Sequence, residues 1–145
     1  MAQRRAAVDL YAGVGFFTLP LARLFQKVTG LEGAGESHRL ARKNAAGEAN
    51  IEVIGAAVEK YVQRMKPVDL IFVDPPRAGM QKSVVDAIAL RARERVCYLS
   101  CDPVTFARDA SRLTARGWKL RSLDLIDLFP NTHHIETFSS FERAG

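Results

Sequence analysis

From Ala6 onward, short apolar runs alternate with longer stretches whose apolar positions recur at helical spacing. The runs Ala6–Leu10, Lys27–Leu31, Ile51–Ile54, Val68–Val73 and Val96–Leu99 read as strands. Between and after them, Phe17–Phe25, Glu36–Gly47, Val58–Met65, Lys82–Arg91 and Pro103–Ala115 read as helices. Parallel neighbours need a crossover connection, so this alternation predicts an α/β fold whose mostly parallel sheet is covered by helices on both faces. After Trp118 the rhythm changes. Leu120–Leu128 and Ile135–Phe141 are strand-like, and only a short turn around Phe129-Pro130-Asn131-Thr132 stands between them. They predict an antiparallel pair at one edge, completing seven strands in one domain.

Composition changes this picture little. Of the 145 residues, 48% are hydrophobic and 26% charged, the mixture of a soluble globular domain. No apolar run is long enough to span a membrane, and Met1-Ala2-Gln3-Arg4-Arg5 opens no signal sequence, so the expected location is cytoplasmic. Two cysteines make no disulfide framework, and no Cys/His cluster has metal-ligand spacing; reduced thiols and no metal are expected. The net charge of +5 favours a polyanionic partner. Arg108, Arg112 and Arg116 recur every fourth residue on one helix. By themselves they read as a solvated face, but their closeness to the candidate site described below favours phosphate contacts there.

Three strand exits carry candidate chemistry. Asp9-Leu10-Tyr11-Ala12-Gly13-Val14-Gly15 follows the first strand and opens a helix, and the glycines at 13 and 15 permit a tight turn and close approach to a ligand. A dinucleotide fingerprint needs a third glycine where Thr18 stands. An acid followed by G-x-G instead suits S-adenosylmethionine, which presents an ammonium and a ribose in place of a pyrophosphate. Glu32 ends the second strand and can accept from both ribose hydroxyls. Asp74-Pro75-Pro76-Arg77-Ala78-Gly79 ends the fourth, where two prolines stiffen the exit and fix Asp74 at the cleft.

The stretch Val96-Cys97-Tyr98-Leu99-Ser100-Cys101-Asp102-Pro103 is a buried strand leading into a helix. Pro103 suits the first helical position, with Asp102 as its N-cap. Cys101 then lies at the carboxyl end of a strand, where open α/β sheets bind their ligands. Cys97, inside the strand, reads as core. A lone cysteine is ordinarily a small buried hydrophobe, and a strand-end glutamate an ordinary surface carboxylate. It is the ordered set of motifs that gives Cys101 a different meaning.

These motifs in order, followed by Ser100-Cys101-Asp102-Pro103 and His134-Ile135-Glu136-Thr137, resemble the RNA (uracil-5)-methyltransferase family, whose members make 5-methyluridine in tRNA and rRNA. The resemblance covers nearly the whole chain and looks like the family's C-terminal catalytic domain. It implies a Rossmann-like class I S-adenosylmethionine-dependent methyltransferase acting on tRNA or rRNA. By the same resemblance, Cys101 is the nucleophile toward C6 of uracil and Glu136 removes the C5 proton. Tyr11, Gly13, Gly15, Glu32 and Asp74 then hold the cofactor, while Arg77 and Asp102 are weaker candidates for substrate contacts. His133 and His134 carry no assignment. The helix after Pro103 favours a thiolate at Cys101 and the Asp102 charge opposes it, so a strongly depressed thiol pKa is not expected.

The chain also departs from the family pattern. Phe16 stands where some members have a cofactor-contacting asparagine, and Ala57 where some carry a polar residue for the adenine. The upstream glutamine segment and RNA-binding domain common in the family are absent from these 145 residues, as are the upstream cysteines of its iron–sulfur members. Weak cofactor affinity and poor turnover of RNA by this stretch alone are the expectation. Two rivals remain at this point. An amino-methyltransferase of adenine or cytosine also uses D/N-P-P, but follows the prolines with an aromatic residue where Arg77 stands, and needs no cysteine. A non-catalytic cofactor- or RNA-binding domain would carry the same fold without turnover.

Overall fold

A computed structural model describes residues 4–127, 130 and 135–144. In chain order the elements are β1 (Ala6–Leu10), α1 (Thr18–Ala22), β2 (Lys27–Glu32), α2 (Glu36–Asn44), β3 (Ile51–Gly55), α3 (Val58–Tyr61), β4 (Val68–Val73), α4 (Lys82–Arg91), β5 (Ala92–Ser100), α5 (Pro103–Thr114), β6 (Trp118–Ile126) and β7 (Glu136–Arg143). Among the described residues the strands form one seven-stranded sheet in the order β3-β2-β1-β4-β5-β7-β6. Strands β1 to β5 pair in parallel, and β7 runs antiparallel between β5 and β6. The predicted architecture holds. The expected antiparallel pair closes the β5 edge, with the last strand inserted inside its predecessor. No helix of the described residues is long and apolar enough to cross a membrane.

Each side of the sheet has its own core. Val8, Leu10, Ile71, Val73, Val96 and Tyr98 point to the side packed by α3, α4 and α5. Ala7, Val28, Leu70, Phe72 and Cys97 point to the other, where α1 contributes Leu21 and the following turn Phe25. On this second side helical cover over β4, β5 and β7 is incomplete. A groove of about 310 Å³ lined by Leu21, Leu24, Phe72, Cys97 and Phe138 stays open there. The central strand β4 is buried throughout, including Asp69, whose carboxylate accepts the amides of Arg5 (2.7 Å) and Ala6 (3.1 Å) at the start of β1.

Boundaries differ where turns intervene. The predicted helix Phe17–Phe25 is a single short turn of helix, because Arg23 and Leu24 already bond three residues back, to Pro20 and Leu21. Likewise α3 ends at Tyr61, and β5 begins at Ala92 directly after α4 rather than at Val96. The early part of β5, Arg93 and Glu94, is exposed and charged, which hides its strand character from a hydrophobic pattern.

Candidate active site

The two-residue period of a strand gathers the candidate side chains on one face. Ala7 and Asp9 of β1 share that face with Val28 and Gly30 of β2 and with Leu70 and Phe72 of β4. It continues through Cys97 and Leu99 of β5 to Ser140 and Phe138 of β7. At the carboxyl ends of the parallel strands the same alternation leads to Glu32, Asp74 and Cys101, and at the amino end of the antiparallel β7 to Glu136. Across the strand order the row reads Glu32, Asp9, Asp74, Cys101, Glu136, with Asp9 lowest. The β5–β7 ladder ends at Ser100 opposite Thr137; Cys101 follows that pair directly on β5's side, and Glu136 precedes it directly on β7. From Asp74 to Glu136 is two strand spacings, roughly 10 Å.

The glycine turn is stitched to β2. Ala12 N donates to Leu31 O (2.9 Å), Gly15 N to Ala12 O (2.8 Å), and Gly13 N to the Glu32 carboxylate (2.7 Å). Gly13 and Gly15 take φ of 55° and 90°, as a turn of this tightness requires, and Tyr11 is held at φ 61°. A left-handed tyrosine is costly, on the order of 1–3 kcal/mol, and persists where surrounding structure imposes it. Asn44 at the end of α2 donates to Val14 O (2.9 Å) and steadies the far side of the turn. One Glu32 oxygen is therefore engaged with the glycine turn.

Asp9 forms the floor. It is 1% exposed; one carboxylate oxygen accepts from Thr18 Oγ1 at 2.6 Å, and the other is buried without a partner. Burial, opposed by the Thr18 hydrogen bond and reinforced by the charges of Asp74 and Glu32, pushes its pKa up to about 7. Burial and the Glu136 charge likewise push Asp74 up to about 6. A partnerless buried carboxylate oxygen beside two further acids fits a cationic ligand and disfavours a pyrophosphate. The cradle is tight at Gly30 as well, where a Cβ would meet Thr18 Oγ1 at 3.0 Å. An ammonium-bearing nucleoside such as S-adenosylmethionine meets these requirements. Thr18 was not among the candidate site residues, and Asp9 entered only as the acid ahead of the G-x-G turn, without a role of its own. The available signal was an acid in the interior-facing pattern of Ala-Ala-Val-Asp-Leu.

Cys101 is exposed, whereas Cys97 is buried and its thiol pushed up by that burial. Directly after Cys101, Asp102 caps α5 by accepting from Val104 N (3.0 Å) and Thr105 N (2.9 Å), with Pro103 in the first turn, as predicted. The Thr105 amide, helped by the Val104 amide and Arg77, holds the Asp102 carboxyl below its usual range. Arg77 Nε lies 3.6 Å from that carboxylate, on a side chain that is 71% exposed. The exposed Cys101 thus directly precedes the Asp102 cap that Arg77 approaches.

The arginines of α5 are tied into the protein while Arg108 and Arg116 stay exposed to solvent. Arg108 and Arg112 are bonded to the buried Asp109, and Arg116 pairs with Asp86 at 2.8 Å. Ala57, at the N-cap of α3, is exposed at the end of the turn after β3, and Phe16 is 73% exposed beside the glycine turn. His133 and His134 lie outside the described residues.

Residues 2–143 match the family model described as tRNA (Uracil-5-)-methyltransferase. Over 142 residues the chain is 39% identical to an uncharacterized RNA methyltransferase of Gloeobacter violaceus, covering 97% of this chain and 31% of that protein. It is 41% identical to a 23S rRNA (uracil(1939)-C(5))-methyltransferase of a Shewanella species, covering 94% and 31%. Among solved structures, a Pyrococcus abyssi tRNA (uracil-54, C5)-methyltransferase bound to S-adenosyl-L-homocysteine superposes with a TM-score of 0.84 at 30% identity, over 94% of this chain and 34% of that one. A precorrin methyltransferase of Geobacter metallireducens, 13% identical, shares the fold at a TM-score of 0.82, over 99% of this chain and 83% of that one. The chain spans about a third of the length of the curated relatives it matches.

Proposed function

Because the chain belongs to the tRNA (uracil-5-)-methyltransferase family, we propose that it is the catalytic part of an enzyme that methylates C5 of a uridine in tRNA or rRNA. The observation that supports the proposal is an exposed Cys101 directly after the last β5–β7 pair, Ser100 opposite Thr137, with Glu136 directly before that pair in β7. S-adenosylmethionine, when bound, supplies an electrophilic methyl group. Tyr11, Gly13, Gly15, Glu32 and Asp74 would hold it, and the buried Asp9 carboxylate beneath them would favour its cationic part.

Carbon 5 of uracil is too weak a nucleophile to be methylated directly. Addition of the Cys101 thiolate to C6 moves an electron pair toward C5 and makes that carbon reactive. After C5 gains its methyl group, Glu136 removes the remaining C5 proton. The C5–H electrons re-form the C5–C6 double bond, and the C6–S bond breaks to return the thiolate. Cysteine serves both steps, as a strong nucleophile and an acceptable leaving group. Arg77, exposed at the cleft rim, is placed to meet an RNA phosphate, and Asp102 orients it.

The test is incubation with S-adenosylmethionine and RNA carrying 5-fluorouracil. Fluorine at C5 leaves no proton to remove, so the protein is trapped on the RNA through Cys101. Intact mass is expected to show a one-to-one adduct that Cys101→Ala abolishes. A Cys101→Ala protein that still methylates would point to amino-group methylation; tight cofactor binding without any adduct would leave a binding domain.

A further inference from the structure

We propose that Asp109 is a positioning residue. With Arg108 and Arg112 it clamps the Asp74–Met80 turn onto the helix that follows Cys101, so that the acid side and the thiol side of the site hold one fixed separation. The inference rests on the uracil-methylating reading above and adds a residue to it that touches neither cofactor nor base.

Asp109 is wholly buried on α5 and fully engaged. One carboxylate oxygen accepts from Met80 N (2.8 Å) and the Tyr98 hydroxyl (2.9 Å); the other accepts from Arg108 Nε (3.0 Å) and Arg112 Nη1 (3.3 Å). The two guanidinium groups then reach onward to the turn. Arg108 Nη2 donates to Ala78 O (3.0 Å) and Met80 O (3.2 Å), and Arg112 Nη1 to Met80 O (3.3 Å). One helical turn earlier, Thr105 Oγ1 donates to Arg77 O (3.0 Å). Side chains of α5 thus hold the carbonyls of residues 77, 78 and 80 and the amide of residue 80. Within the turn itself the backbone closes through Gly79 N to Pro76 O at 2.8 Å.

Gly79 shows how close the approach is. At φ +72°, a Cβ there would lie 2.5 Å from Arg108 Nη2 and 2.7 Å from an Asp109 oxygen. Pro75 and Pro76 restrict the backbone immediately after Asp74, so the freedom left in the turn lies at residues 77–80, where the clamp acts. Burying one carboxylate with two guanidinium groups is a poor way to gain stability, since apolar replacements of such clusters are often neutral or better. Charge-assisted bonds in a fixed fork are, however, a good way to fix direction. Misplacement of reacting groups by about 1 Å can slow a reaction about a hundredfold.

The experiment measures the rate of fluorouracil-RNA adduct formation at saturating S-adenosylmethionine, together with hydrogen exchange across residues 76–81. The variants are Asp109→Asn, which keeps size and removes charge, and Arg108→Gln, which cuts the fork on a side chain already partly exposed and serves where Asp109→Asn fails to fold. Arg116→Gln breaks the 2.8 Å tie to Asp86 without touching the turn and reports ordinary loss of stability. Asp109→Asn and Arg108→Gln are expected to lower the limiting adduct rate tenfold or more and to speed exchange in the turn. The half-saturating RNA concentration should move less than twofold, and Arg116→Gln should lower the melting temperature while leaving the rate unchanged. An Arg108→Gln rate within twofold of the parent, or an equal slowing in Arg116→Gln, overturns the clamp. A parent protein that forms no adduct overturns the methylation reading and the clamp with it, so the two failures are told apart by the parent.

Discussion

Replacing Asp9 by asparagine should make the protein more stable at alkaline pH and a poorer binder of its cofactor. The carboxyl is 1% exposed, and its pKa is raised from an ordinary 3.8 to about 7, first by burial and then by the charges of Asp74 and Glu32, against the Thr18 hydrogen bond. A raised acid binds its proton more tightly in the folded chain than in the unfolded one. Its contribution to stability is therefore fully present below about pH 4, declines as pH rises, and levels off once pH has passed about 7. The full cost of ionising it in place is on the order of 4 kcal/mol. Asparagine keeps the acceptor for Thr18 but leaves a buried amide N–H₂ where the partnerless oxygen was, at about 1–3 kcal/mol. The variant should thus be more stable than the parent by about 1–3 kcal/mol at pH 8.5, and less stable than or level with it at pH 4.5.

The assay is urea unfolding of both proteins at several pH values between 4.5 and 8.5. Every other titrating group is shared, so to first order the difference between the two curves isolates Asp9, including its coupling to Asp74 and Glu32. A difference growing by about 3 kcal/mol across that range is expected. One that stays constant to within about 1 kcal/mol would refute the assignment of a neutral, buried Asp9 near neutrality. The same proton predicts that a cationic cofactor, by favouring the ionised carboxylate, binds with net proton release below pH 7. Calorimetry in buffers of different ionisation enthalpy measures that release, and Asp9→Asn should remove most of it.

Glu136→Gln should leave the Cys101 adduct able to form on ordinary uridine RNA but slow to resolve, so that a covalent species accumulates on a denaturing gel where the parent shows little. Asp102→Ala removes the side-chain cap of α5 and should cost about 1 kcal/mol in chemical unfolding, with the largest gain in hydrogen exchange at Val104 and Thr105. Gly30→Ala drives a methyl group toward Thr18 Oγ1, which sits 3.0 Å from the new Cβ. It should weaken the Thr18–Asp9 bond and lower affinity for S-adenosylhomocysteine, read by titration calorimetry.

Much of the architecture was legible because period and punctuation agreed. The βα alternation and the loss of helical spacing after Trp118 foretold the sheet and its antiparallel close, and Asp102-Pro103 marked the start of α5. The remainder failed where a local pattern had a distant explanation. Arg93 and Glu94 disguised the first half of β5, because that end of the strand lies at the exposed rim of the sheet. The ties of the α5 arginines were hidden because their partners are the buried Asp109, the Ala78–Met80 turn and Asp86 on α4. One clue was present: Phe106, Asp109 and Leu113 fall at positions i, i+3 and i+7, which sets an acid on the buried stripe of an amphipathic helix. An acid there requires donors from elsewhere in the chain, and sequence spacing cannot say from where.

Asp9 and Asp109 are both buried carboxylates beside the same cleft, and their surroundings assign them opposite tasks. Asp109 is met by two guanidinium groups, an amide and a hydroxyl, so its charge is satisfied within the protein and can only fix geometry. Asp9 is given one hydroxyl and two neighbouring acids, so its charge is left for something outside the chain to satisfy. The distinction predicts contrasting behaviour toward ligand. S-adenosylhomocysteine should raise the melting temperature of the parent more at pH 8 than at pH 5.5, because the penalty it relieves at Asp9 is larger there. Removing the Asp109 clamp should leave that pH dependence in place, since its charge is balanced with or without ligand. If the ligand-induced shift were equally large at both pH values, the cation-seeking role of Asp9 would fail even with the fold and the clamp intact.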